Sequence, residues 1–264
     1  MNYNDTNKLP SFFVRVFSVW YRHFRVYMSS FFSNAFPPFL EPLIFLAGLG
    51  IGVGTFIKGN MDGMSFTLFL ASGLLVTSSM YTASFECTYG TFIRLEFDEI
   101  YDGMLGAPIS VNDLLMGEIL FVGTKGLFFS FAVLIVVWAV GIISYPLSIL
   151  APFIGFLTGI MFGTLSLLIT SFVKNINHFN FYFTGLLTPM FFFSGVVFPI
   201  SNLPGVLRYV AEAVPLTHMV RMARAFCTPG KLQAGLLLDL TYFIVFVLLT
   251  GFFAIRGLKK RMIV

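Results

Sequence analysis

The chain has 264 residues, of which 57% are apolar and 11% charged, with a formal net charge of +4. Soluble domains carry about 25% charged residues, so no single soluble core could bury this much apolar surface and the solvent has to be lipid. Two cysteines, Cys87 and Cys227, and three scattered histidines offer no disulfide framework or metal set, and nothing in the charge pattern points to nucleic acid.

A helix that crosses a hydrocarbon core about 30 Å thick needs roughly 20 apolar residues. By that measure the fold is an all-α polytopic membrane protein, read as one domain over 1–264. The polar opening MNYNDTNKLP is followed by no secretory signal pattern, so the N-terminus is expected to be retained. In the segment 10–33, Ser11, Arg15, Ser18, Arg22, Arg25 and Ser29 recur at steps of four and three and form one polar stripe. Apolar residues such as Phe13, Phe17 and Trp20 fill the remainder, which predicts a basic amphipathic helix lying at the membrane interface.

Hydropathy predicts six spans, at 39–57, 65–85, 115–143, 147–173, 179–198 and 236–255. The fourth holds Gly155, Gly159 and Gly163, a spacing that lets helices approach closely in lipid. The fifth is interrupted by Gly185, Pro189, Gly195 and Pro199. Beyond it, two short helices are expected, one after Pro204 and one from Pro215, in an outer re-entrant segment over 199–232. Lys and Arg near the ends (Lys8, Arg15, Arg22 and Arg25; Arg256, Lys259, Lys260 and Arg261) put both termini in the cytoplasm. Arg208, Arg221, Arg224 and Lys231 conflict with this count, because they fall in the segment assigned outside.

The chain has only 12 acidic residues, yet Glu96, Asp98, Glu99 and Asp102 lie close together in RLEFDEIYDGML. Projected at about 100° per residue, the acids share one side and Phe97, Ile100, Tyr101 and Met104 form a stripe on the other. The loop after the second span is cytoplasmic by charge count. An interfacial helix serving only anionic lipid should be basic, so this one suits a protein partner with a basic groove. Other charges fall within or beside spans. Glu41, Glu86, Glu118 and Lys125 share one level toward the cytoplasm, and Asp239 opens the last span. Buried charges in membranes face partners or cavities, so Lys125 is expected to pair with one of these carboxylates, as a packing pair, as part of a gate or in a proton relay.

Five stretches together carry a resemblance: LAGLGIGVG, FLASGLLVTSSMYTASFECTYGTFIRLE, LLMGEIL, LTPMFFFSGVVFPISNLP and AVPLTHMVRMARAF. The chain resembles the permease subunits of ABC-2-type ATP-driven exporters, most of all the lipo-oligosaccharide (nodulation-factor) exporter permeases. The resemblance implies six spans, an N-terminal interfacial helix, a cytoplasmic coupling helix at 94–105 and re-entrant helices after the fifth span. It implies a second permease copy and two cytoplasmic ABC ATPase subunits that hold ATP and Mg, with no catalytic residue, metal or cofactor in this chain. Residues 96–102 and Met104 would then dock the ATPase. An amphipathic substrate would leave the bacterial inner membrane along an aromatic path that includes Phe191, Phe192 and Phe193. A drug, peptide or lipid cargo on the same machine is the alternative. An ion-coupled secondary transporter would need paired broken helices in both halves, and only the fifth span is broken.

Overall fold

The computed structural model describes residues 10–57, 59–230 and 234–262; Lys8 and Lys231 lie outside them. Within them the chain is helical, with one isolated bridge between Met61 and Met64. The elements are α1 (Phe12–Ser29), α2 (Phe31–Phe45) running on as a π-helix over Leu46–Val53, α3 (Phe66–Phe85), and a π turn over Glu86–Gly90 that leads into α4 (Thr91–Glu96). Then come α5 (Ile100–Leu105), α6 (Val111–Ala139), α7 (Ala151–Phe172), α8 (Phe179–Tyr182), α9 (Thr188–Phe193), α10 (Gly205–Ala213), α11 (Pro215–Cys227) and α12 (Leu236–Met262).

The centre is α3, whose apolar residues alternate with Ser, Thr, Ala and Gly and which is buried along almost its whole length. Several of its hydroxyls fold back on their own helix: Ser72 donates to the Phe69 carbonyl and Ser78 to that of Leu75, while Ser79 donates across to the Gly126 carbonyl of α6. A helix whose polar groups are satisfied internally can sit inside a bundle at little cost. Beside it, α6 and α7 pack backbone to backbone. A Cβ on Gly126 would stand 2.5 Å from the Gly155 carbonyl oxygen, and one on Gly159 would stand 2.6 Å from that of Val122. The small residues of the fourth span therefore serve contact within this chain.

α6 starts from a capping box, in which Ser110 and Asp113 bond each other's backbone N–H. α1 lies along α6. Arg15 pairs with Asp113 at 2.8 Å, Trp20 Nε1 donates to Thr124 at 3.0 Å, and Val19 sits where Gly117 has no side chain. Its inner face is thus Val19, His23 and Tyr27, a row at steps of four. At the far end of α12, Arg261 reaches Glu96 and the Thr170 and Val173 carbonyls. Both ends of the described chain therefore meet the end of the bundle that holds α4 and α5.

Five of the six expected spans coincide with long apolar helices. Among the described residues, five helical stretches have the length and composition to cross a membrane: Phe31–Val53, Phe66–Glu96, Val111–Ala139, Pro146–Phe172 and Leu236–Met262. The predicted span at 179–198 is helical only from Phe179 to Phe193, about 22 Å at 1.5 Å per residue. Pro189 lacks the N–H that would continue the ladder, a π turn over Phe183–Leu187 precedes it, and Gly195 turns the chain at φ +81°.

Candidate functional site

Glu86, Gly90 and Arg94 stand at steps of four across the π turn that ends α3. Gly90 leaves room between the two charges; a Cβ there would come within 3.1 Å of Glu86 Oε1 and 3.3 Å of Arg94 Nη1. Arg94 bridges two carboxylates, at 2.6 Å to Glu86 and 2.5 Å to Glu118 on α6. Lys125, two turns along α6, pairs with the other oxygen of Glu86 at 2.7 Å. Tyr101 of α5 donates to both Glu118 oxygens at 2.8 Å and accepts from Arg94 Nε at 3.2 Å. Burial pushes the Tyr101 phenol well above its ordinary pKa of 10, so it keeps the proton it donates. Two acids, two bases and one phenol thus join the end of α3, α4, α5 and α6 in one network, buried at Tyr101 and Glu118 and half-buried at Glu86, Arg94 and Lys125, each charge answered by its opposite.

The segment 94–105 is not one helix. α4 stops at Glu96, Glu99 adopts a left-handed φ of +49°, and α5 starts at Ile100. The acids and the apolar stripe therefore do not occupy opposite sides of a single cylinder. Phe97, Asp98, Glu99 and Asp102 are exposed, Ile100 and Met104 are half-buried, Glu96 pairs with Arg261, and Tyr101 is wholly buried. The structure turns Tyr101 inward, away from any outer surface; the local reason is that its ring needs an apolar bed and its hydroxyl finds Glu118.

Next to the network is a cavity of about 850 Å³. Glu86, Arg94 and Lys125 form one wall, and Glu41, exposed on α2, another. Aromatic rings complete it, among them Tyr27, Tyr81 and Phe121. Phe191 and Phe192 line it as well; Phe193 does not, and lies 38% exposed elsewhere. The Lys125 ammonium sits 4.6 Å from the centre of the Tyr27 ring, an attractive cation–π placement. The four predicted intramembrane charges divide accordingly: Glu86, Glu118 and Lys125 come together, while Glu41 faces them across the cavity.

At the opposite end of α3, α11 is buried on most of its surface although it carries three basic or titratable residues. Asp239 accepts from Arg221 at 2.9 Å and lies 2.7 Å from His218 Nδ1, and Tyr242 stacks on the His218 ring at 3.8 Å. Arg224 donates to Ser72 and to the Phe69 and Gly195 carbonyls, and covers the Phe69 ring. Burial lowers its pKa to about 10, which leaves it cationic at neutral pH. These contacts resolve the conflict over Arg221 and Arg224: both cations hold internal partners, so neither reports on loop sidedness.

A family model for ABC-2 type transporters matches residues 14–227, which covers the cavity, the network and α11. The chain belongs to the ABC-2 type transporter family. This permease is 30% identical over 249 residues to Nodulation protein J of Sinorhizobium fredii, covering 93% of each chain. It is 28% identical over 254 residues to Nodulation protein J of Rhizobium leguminosarum bv. viciae, covering 96% of this chain and 97% of the other. The inner membrane transport permease YadH of Escherichia coli is 24% identical over 213 residues, 79% of this chain. The permease is a non-catalytic transport subunit with several membrane-spanning helices.

Sequence reasoning missed three parts of the site. Arg94 was legible through its register with Glu86 and Gly90. The row Val19, His23, Tyr27 was legible as a second stripe on α1, hidden by the denser polar one. Thr82, which also lines the cavity, carries no sequence signal, because α3 is rich in hydroxyls throughout.

Proposed function

We propose that this permease forms the membrane half of an ATP-driven exporter that moves an amphipathic, lipid-linked or lipo-oligosaccharide substrate out across the bacterial cytoplasmic membrane. In this reading two copies pair with two cytoplasmic ABC ATPase subunits, which hold ATP and Mg. The short helix Phe179–Phe193 completes six crossings together with the re-entrant pair α10 and α11, both termini are cytoplasmic, and α1 lies at the inner interface. The exposed turn of Phe97, Asp98 and Glu99, with Asp102, Ile100 and Met104 beside it, receives the ATPase.

One observation carries the reading: the docking turn is continuous with the cavity through side chains alone. Tyr101 sits between the turn and Glu118, and Arg94 and Glu86 lead from there to Lys125 on the cavity wall. A displacement of α5 on ATP binding would have to break or carry these bonds. Bonds of this kind are discrete, so they bias one arrangement of the helices over another instead of yielding smoothly. The Nodulation protein J relatives support the saccharide cargo.

The test is co-purification with the cognate ATPase after Asp98, Glu99 and Asp102 are reversed to Lys. The expected result is at least a tenfold loss of complex at low salt, with the wild-type complex itself weakening as salt rises. An intact, fully stimulated complex would remove the docking assignment.

A further inference from the structure

We propose that the cavity binds an organic ammonium group, the charged end of an amphipathic cation, and that Glu41 is the residue that selects it. The inference goes beyond the export reading: it assigns the cavity a cationic ligand, whatever cargo ATP hydrolysis drives across the membrane.

The charges around the cavity do not cancel. Its two cations are already spent: Lys125 is held by Glu86 at 2.7 Å, and Arg94 by Glu86 at 2.6 Å and by Glu118 at 2.5 Å. Glu41 is an exposed side chain of the lining and has no ion-pair partner among the described residues. His23 adds no positive charge to the lining: burial, reinforced by the nearby Arg94 cation, lowers its pKa to about 4. With Glu118 behind the wall, three carboxylates stand against two cations, and the surplus negative charge lies at Glu41. Walls of low dielectric focus such a field into the space between them.

The walls suit a cation as well. Glu41 and Phe45 stand one turn apart on α2, so the carboxylate has a ring beside it on the same face. Phe45 and Tyr81 both pack against Phe191, their ring centres 5.3 Å and 6.4 Å from its own, which makes them neighbouring walls. An ammonium beside a carboxylate and over aromatic faces gains from both, and gains more as water is excluded. The cavity already holds one such group: the Lys125 ammonium lies 4.6 Å from the centre of the Tyr27 ring and 5.7 Å from that of Phe121. An anion would meet the surplus carboxylate, and an uncharged ligand would strip it of water without offering a partner. A hard metal cation such as calcium takes about six to eight oxygen ligands, and the described residues hold no group of three acids, histidines or cysteines. A substituted ammonium needs only the one carboxylate, because its methyl groups can rest on the rings. A volume of about 850 Å³ accommodates that head group with part of its apolar tail.

The experiment measures equilibrium binding to the full-length permease in phosphatidylcholine nanodiscs, with empty nanodiscs subtracted. The three radiolabelled probes share one decyl chain: decyltrimethylammonium, decanol and decyl sulfate. The ammonium probe is expected to bind about tenfold more tightly than the other two, the difference that a partly desolvated ion pair and a cation–π contact together supply. Glu41→Gln should bring it down to the level of the alcohol. Phe45→Leu keeps the apolar bulk and should cost the ammonium probe about threefold. The preference of the wild-type protein should also shrink as salt rises, because Glu41 is exposed. Equal binding of the three probes overturns the proposal, and so does a folded Glu41→Gln protein that retains the preference. A wild-type preference indifferent to salt overturns it without any variant. No ATPase enters the measurement, so its outcome and that of the co-purification test are independent.

Discussion

Tyr101 is the one side chain of the exposed segment whose hydroxyl touches both a buried acid, Glu118, and a half-buried base, Arg94. Its loss should therefore separate docking from coupling. Tyr101→Phe keeps the ring and removes bonds to charged groups worth about 1.5–3 kcal/mol. The complex should still assemble, while substrate-stimulated ATP hydrolysis falls about tenfold; unchanged stimulation would show that Tyr101 only fills space. Lys125→Met leaves Glu86 with one cation instead of two. Removing one partner of a buried pair costs about 3–5 kcal/mol, so a lower melting temperature and loss of transport are expected, and full transport by the variant would rule out a gating role. His23 makes a pH prediction. Its native pKa is about 4, against an ordinary value of 6.5. Between these values the unfolded chain binds a proton that the folded chain does not, so stability is retained above pH 6.5 and falls as the pH drops toward 4. Thermal melts of His23→Gln should show a shallower fall over that window than wild type; equal slopes would place the titration elsewhere.

At the scale of elements, the closest contact is between α6 and α7, where glycines face carbonyls. Gly159→Leu should lower the melting temperature of the detergent-solubilised permease, because overpacking costs typically 1–3 kcal/mol and here meets backbone that cannot rotate away. A variant that melts like wild type but loses dimerisation would instead move this stripe to a subunit interface. The glycine spacing and the amphipathic α1 were legible in the sequence because each is a periodic, local signal. The break inside 94–105 was not. An ideal projection assumes a continuous helix, while Glu99 turns the chain left-handed and Tyr101 is drawn inward by Glu118 of α6. The fifth span was legible as broken, but where it ends depends on how Gly195 turns the chain against Ile200.

At the scale of the molecule, α3 separates two polar ends. One holds the exposed turn between α4 and α5, the charge network and the cavity, together with both described ends of the chain. The other holds α11 with Asp239, His218 and Arg224. α2 and α12 leave broad apolar faces uncovered by the protein, 19% and 22% buried over their most apolar windows, as lipid-facing helices should. Native mass spectrometry of the purified exporter should give two permeases with two ATPases, and the permease alone should not hydrolyse ATP. A one-to-one particle or hydrolysis by the isolated chain would contradict the proposed assembly.

By itself the sequence determined the solvent, the helical class, several of the inward-facing charges (Glu86, Glu118, Lys125 and Asp239) and the resemblance to ABC-2 permeases, because composition and periodicity act over one or two turns. Tertiary structure alone decided which charge meets which. Arg94 takes Glu118 from 24 residues away, and Glu86 takes Lys125 from 39 away. It also placed Tyr27 and Thr82, from the first and third helices, on one cavity. The physical reason is the cost of a buried polar group. In lipid each such group must find a partner, and only the packing of the helices settles which partner lies within reach.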